Sequence, residues 1–468
     1  MRLRGAFWKE VMASLAKARG GLRGRRRPAP DEDIRDVCRT LLRTRGEASV
    51  VALARRALDA FGRLDAAGRR AFFEFLARDL GPEPAALESA IDGYHAAPGP
   101  ETVTALARAA DPPRRELLGL FNTSPNGMSD LLAMREALLD LLPAHPELKP
   151  LDDDFLYLLR AWFNRGFLEL RRIDWRTPAL VLEKIVTYEA VHEILDWEDL
   201  QRRLGADRRC FGFFHPSLPD EPLIFVEVAL CKGLAGSVQD LIFGAVEPDP
   251  EADTAVFYSI SNCQRGLVGI SFGNFLIKQV VYELAAEMPG LRTFATLSPI
   301  PGFRKWLSAA MRENRLADEG DLGDIEDPGW PADHGPAEDA EPRLLRLCAR
   351  YLLHAKRGRL PLDPVARFHL RNGARLERIN WMGDPSPPGL QQSAGMMVNY
   401  VYDEADVVAN HEAFVNEGRI VHARAVGELA GKPGDKRPAR RRSRRKARLP
   451  RVPATLPAPA VSGAPARR

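Results

Sequence analysis

Cysteine is scarce: five in 468 residues, at Cys38, Cys210, Cys231, Cys263 and Cys348, with no CxxC pair. Such scatter excludes a zinc finger and a disulfide framework and points to a reducing compartment. Long apolar runs are also missing. The longest, such as Pro222–Leu230, are strand-sized and broken by Glu227, far short of the ~18 residues a membrane span needs. No His, Cys, Asp and Glu cluster has metal-ligand spacing, so no metal is expected. Acids are nearly missing from the two ends. Residues 1–28 carry nine Lys/Arg against one acid, and residues 432–468 carry thirteen against one. With these ends removed, the net charge of +4 becomes about −16 for residues 29–431. An acidic body excludes a nucleic-acid-binding core.

What is present is a globular composition, with 45% hydrophobic and 28% charged residues. The length predicts two or three domains. Residues 1–28 have a loose amphipathic pattern (Phe7, Trp8, Val11, Leu15) that would suit a targeting peptide. Their Arg, Ala, Gly and Pro content favours a basic disordered extension. Residues 432–468 join a basic run, Lys436–Arg448, to Pro/Ala-rich sequence. They read as a solvated disordered tail rather than a patch for a specific nucleic acid.

From Asp31 to about Arg172 the spacing is helical throughout, as in Val50, Leu53, Ala54, Ala57 and Leu58, or Phe72, Phe73, Leu76 and Leu80. This predicts an all-helical bundle over 29–172, used for packing or assembly, with no strand and no reacting group. Thr177-Pro178 predicts a further helix, capped by Thr177 and running towards Leu195. Strands are expected at Cys210–His215, Leu223–Leu230, Ala255–Ser261, Arg292–Leu297 and Ala374–Met382. Helices are expected at Phe272–Glu287, Gly302–Arg312, Glu341–His354 and Gln391–Asn399. Residues 173–431 therefore read as a mixed α/β domain, interrupted by an acidic insertion at 314–342.

Four segments carry candidate chemistry. Ser259–Asn274 runs from a strand through a Gly-punctuated turn into a helix start, where free amides and the helix dipole suit an anion. A plain structural turn fits its spacing equally well. Ser298 ends a strand, and Pro299 and Pro301 stiffen the exit. His369 lies between apolar neighbours in "RFHLRNGA", where a buried structural histidine and a proton-exchanging one both fit. Tyr400 and Tyr402 offer polar tips in "MMVNYVY", with core packing as the plainer alternative.

Together the blocks "FFHPSLPDEPL", "FYSIS", "QRGLVGISFGNFLIK", "LSPIPGF", "FHLRNGA", "RINWMGD" and "NYVY" resemble the malonyl-CoA decarboxylase family, in the family's order over roughly residues 195–403. The resemblance implies an α+β protein: a helical N-terminal domain followed by a catalytic domain of the acetyltransferase (GNAT) type. It implies a lyase of fatty acid metabolism that converts malonyl-CoA to acetyl-CoA and CO2 through a thioester enolate, without a cofactor. It matches Val268, Gly269, Ile270, Ser271, Phe272, Gly273 and Asn274 to the acyl-CoA-binding turn. It matches Ser298 to the catalytic serine, His369 to the catalytic histidine, and Tyr402 to a tyrosine near the site. Ser271 departs from the animal members, which carry a glutamate there. Arg265, Lys278, Arg304 and Lys305 are candidate cations for coenzyme A. An acetyltransferase and a non-catalytic acyl-CoA sensor remain as alternatives. A homodimer or homotetramer is expected, in the cytoplasm of a bacterium or in the mitochondrial matrix if the source is eukaryotic.

Overall fold

A computed structural model describes residues 33–245, 251–270, 275–313, 316 and 340–431. The expectations for residues 1–28 and 432–468, and for nearly all of the 314–342 insertion, lie outside these residues.

Helices fill the chain from Ile34–Arg43 to Lys149–Trp162. The apolar stripes read from the sequence are the buried faces. Val50, Ala54, Ala57 and Leu58 point inward from Glu47–Arg63, and Phe72, Phe73 and Leu76 from Ala66–Arg78. Asp33 and Asp65 cap their helices through side-chain oxygens, meeting amides that would otherwise lack partners.

A mixed sheet follows. Its strands are β1 (Glu169–Ile173), β2 (Arg208–Phe214), β3 (Ile224–Cys231), β4 (Thr254–Asn262), β5 (Thr293–Thr296), β6 (Ser298–Pro299), β9 (Arg375–Asn380) and β10 (Met397–Tyr402); β7 (Lys356–Arg357) and β8 (Leu360–Pro361) form a separate hairpin. The order is β1-β2-β3-β4-β5-β10-β6, with β9 also on β10. β1 to β4 are antiparallel, and β4 and β5 are parallel. Only Thr254–Phe257 of β4 pair with β5, so the two strands part beyond Phe257. A bulge at the same point puts Tyr258 between the partners of Glu227 and Val228. A helical region followed by a mixed α/β sheet is the order expected from the sequence.

One buried apolar cluster joins the helices to the sheet: it includes Leu132, Leu151 and Phe155 as well as Phe213, Phe257 and Leu276. A second lies under the other face, with Ile173, Val181, Ile185, Phe214 and Phe225. Glu227, which interrupts β3 in the sequence, is buried there and paired with Arg203 at 3.1 Å.

Three expectations are corrected. Residues 169–173 are strand β1, not helix; as an edge strand it keeps Glu169 and Arg172 exposed, so its polarity hid it. The helix expected from Thr177-Pro178 covers only Ala179–Tyr188, with Pro178 at the cap position. Thr177 instead accepts the Asp174 amide, and the chain leaves the helix where Glu189 accepts the amides of Val191 and His192. The helix expected at Gln391–Asn399 is Pro387–Ser393, and the remainder enters β10. Ala394 (φ 52°) and Gly395 (φ 75°) break the helix. Every residue of β10 is buried, so it shows none of the polar alternation of a half-exposed strand.

Candidate active site

The sheet brings Ser298, His369 and Tyr402 together. Ser298 pairs with Val398 across β6 and β10, and Tyr402 lies further along β10 opposite Phe294. His369 comes from the helix Pro364–Arg371, which begins with an Asp cap and a proline at its first turn. Ser298 Oγ lies 3.0 Å from His369 Nε2, and His369 Nδ1 lies 2.8 Å from the Tyr402 hydroxyl. All three residues are buried. The Tyr400 ring stacks on the imidazole at 4.6 Å between centroids, and Phe368 meets its edge at 5.0 Å.

Ser298 Oγ has two acceptors within reach for its single proton, Thr296 Oγ1 at 2.9 Å and His369 Nε2 at 3.0 Å. With Ser298 donating to Thr296, His369 donates from Nε2 to Ser298 Oγ and Nδ1 accepts from the Tyr402 hydroxyl. Burial pushes His369 down to about 3 and Tyr402 well above the ordinary phenol range. The imidazole is therefore neutral at physiological pH, with the Ser298 hydroxyl on one side and a protonated phenol on the other.

The Gly turn is placed differently. Val268 and Gly269 are exposed, Ile270 is half-buried, and Gly269 has φ +85°, a conformation that favours glycine. Ser271, Phe272, Gly273 and Asn274 lie outside the described residues. The turn is held from the helical region. Arg135, 1% exposed, donates to the carbonyls of Gly266 at 2.5 Å and Val268 at 2.8 Å, and to Asp152 at 2.8 Å. Glu136 accepts the Gly266 amide at 3.0 Å. A β-carbon on Gly266 would come within 2.6 Å of the Leu132 carbonyl oxygen, so only glycine permits this approach.

Of the candidate cations, Arg265 pairs with Asp140 and Arg304 donates to the Leu390 carbonyl. Lys278 is half-buried and Lys305 exposed. Sequence reasoning missed Thr296, Arg135, Glu136 and Asp152. The two-residue period of a strand links Thr296 to Ser298, as it links Tyr400 to Tyr402. Nothing local pairs Arg135 with a turn 131 residues later. Among the described residues no group of three or more His, Cys, Asp or Glu side chains is arranged to hold a metal. No helix among them is long and apolar enough to cross a membrane.

The sequence profile of the malonyl-CoA decarboxylase C-terminal domain matches residues 166–440, more than half of the chain. The chain belongs to the malonyl-CoA decarboxylase family. The N-terminal domain profile of this family of carboxy-lyases matches residues 80–163. Mitochondrial malonyl-CoA decarboxylase of Anser anser anser is 38% identical over 340 residues, covering 66% of this chain and 68% of that protein. The Rattus norvegicus mitochondrial protein is 38% identical over 346 residues, 67% of this chain and 70% of its own. The crystal structure of malonyl-CoA decarboxylase from Rhodopseudomonas palustris aligns with a TM-score of 0.79 at 50% identity, over 85% of this chain and 99% of that one. The Agrobacterium vitis structure aligns with a TM-score of 0.79 at 48% identity, over 86% and 100%.

Proposed function

We propose that this malonyl-CoA decarboxylase family member releases CO2 from malonyl-CoA, leaves acetyl-CoA, and uses Ser298 and His369 to do so. Breaking the bond between C2 and the carboxylate leaves a thioester enolate, with the electron pair on C2 and the carbonyl oxygen. The protein must then stabilise that oxygen and deliver one proton to C2. The observation that carries the reading is the chain Tyr402–His369–Ser298, and we place its proton on Nε2.

A thioester enolate is a stronger base than imidazolate, so a neutral N–H is an adequate donor. As Nε2 gives its proton to C2, Nδ1 takes the Tyr402 proton, and solvent later restores it. Ser298 hydrogen bonds the malonyl group once it turns from Thr296. Proton acceptance is its second candidate role. No acyl-enzyme is required. Val268–Asn274 is assigned to the acyl-CoA, with Tyr402 behind the histidine.

Incubation with malonyl-CoA alone tests this. Acetyl-CoA release without an acceptor is expected. Dependence on an acceptor would instead make the protein a transferase, and binding without turnover would make it a sensor. The family resemblance also supports a homodimer or homotetramer, which light scattering of the full-length chain reads directly.

A further inference from the structure

We propose that Asp363 is a positioning residue whose carboxylate ties the turn after Ser298 to the helix carrying His369, and so sets the spacing of that pair. The proposal rests on the reading of Ser298 and His369 as the reacting groups. Asp363 is 1% exposed. Its Oδ1 accepts the Ala366 amide at 2.8 Å and caps the helix Pro364–Arg371. Its Oδ2 accepts the Tyr351 hydroxyl at 3.4 Å and lies 3.7 Å from the place a β-carbon on Gly302 would occupy. The backbone of Gly302 and of Val365 also lies close enough to the carboxylate to favour its charged form.

Helix capping alone does not explain this residue. Asn, Ser or Thr would cap as well without burying a charge. What a carboxylate adds is a second acceptor oxygen, and here that oxygen faces other segments. Pro299 and Pro301 carry no amide hydrogen, so between Ser298 and Phe303 only Ile300 and Gly302 can donate. Gly302 is thus the handle by which the Ser298 turn can be held. A β-carbon there would meet the Tyr351 hydroxyl at 2.2 Å, so glycine is needed for the turn to close on Asp363. His369 follows Asp363 by less than two helical turns, close enough for the cap to fix its imidazole. A displacement of about 1 Å between reacting groups costs up to ~10²-fold in rate.

The first test is Asp363→Asn, which keeps a capping oxygen but turns an NH2 towards Gly302 and Tyr351. Melting, calorimetric titration with CoA, and kcat and KM for malonyl-CoA are measured. A folded protein is expected, with CoA affinity within about twofold and kcat reduced roughly tenfold to a hundredfold. The second test needs no change at Asp363. Gly302→Ala should lower kcat by crowding Tyr351, and adding Tyr351→Phe should restore most of it. Normal kcat in folded Asp363→Asn, an equal loss of CoA affinity and kcat, or no rescue of Gly302→Ala overturns the proposal. If Asp363→Asn does not fold, the Gly302 pair decides. His369→Asn separates the two levels. Normal turnover in that variant refutes the underlying reading and the strut with it. Lost turnover there beside normal turnover in Asp363→Asn refutes the strut alone.

Discussion

The helices of residues 34–162 and the sheet that follows both bury polar side chains, but to different ends. In the helical region Arg114 pairs with Asp154 and Arg135 with Asp152, and Arg135 reaches out to the 265–268 segment. In the sheet region the buried polar chain around His369 has no cation: it runs through hydroxyls and a neutral imidazole. Ion pairs give fixed geometry. A neutral relay can move a proton. The helical region thus holds the 266–268 segment in place, and the sheet region carries the chain to which the proposed proton transfer is assigned.

The largest expected effect tests the sheet side of that contrast. His369→Asn should lower kcat by ~10²–10⁴-fold, the usual contribution of a general acid, with little change in CoA affinity. Steady-state kinetics beside calorimetry reads both numbers, and equal losses in the two would assign His369 to binding instead. Arg135→Met tests the helical side. It should cost about 3 kcal/mol of stability, the low end for breaking a buried pair, because Lys149 still neutralises Asp152 at 2.7 Å. It should also weaken CoA while leaving kcat at saturation nearly unchanged. A normal dissociation constant for CoA in a folded variant would break the comparison.

Gly269→Val acts on the turn itself. The left-handed conformation at φ +85° strains any β-branched residue, so CoA compounds should bind less tightly. Unchanged calorimetric affinity with normal melting would put the acyl-CoA cradle elsewhere.

A smaller effect is expected from pH. His369 is held neutral, with its value lowered from 6.5 to about 3 by burial. Between those values the unfolded chain binds the extra proton. The stability from a neutral His369 is therefore present above about pH 6.5 and lost as pH falls towards 3. The wild-type melting temperature should fall from pH 7.5 to 4.5 more steeply than that of His369→Gln. Parallel curves would show that His369 is not held neutral by burial. No effect on kcat/KM or particle mass is expected from deleting residues 432–468, and loss of either in light scattering and kinetics would show that the tail belongs to the working protein.

Helices such as Glu47–Arg63 and Ala66–Arg78 were legible because each buries one stripe and leaves the other face wet, which writes a period of 3.6 into the sequence. Leu53–Leu58 and Phe72–Leu76 show it. β2, β3 and β4 were legible from their β-branched and aromatic residues between turn formers. β10 was not, because a strand flanked on both edges and covered on both faces has no polar alternation to betray it. β1 was hidden for the opposite reason, being polar enough at the sheet edge to pass for the end of a helix. Ser298, His369 and Tyr402 could be nominated through family resemblance and Tyr400 from its segment, while Thr296 needed the strand register, and the stacking of Tyr400 on His369 needed the tertiary structure.

The sequence by itself determined the helical and mixed α/β halves, the acidic body between basic ends, and the family. Only the tertiary structure decided which groups face His369's two nitrogens, and which residues hold the turn and the helix around it. The physical reason is distance along the chain. Periodicity and capping act over a few residues, whereas the bonds from Ser298 to His369 span 71 residues and from Arg135 to Gly266 span 131. Such contacts leave no local pattern, because each partner needs only to be polar and buried.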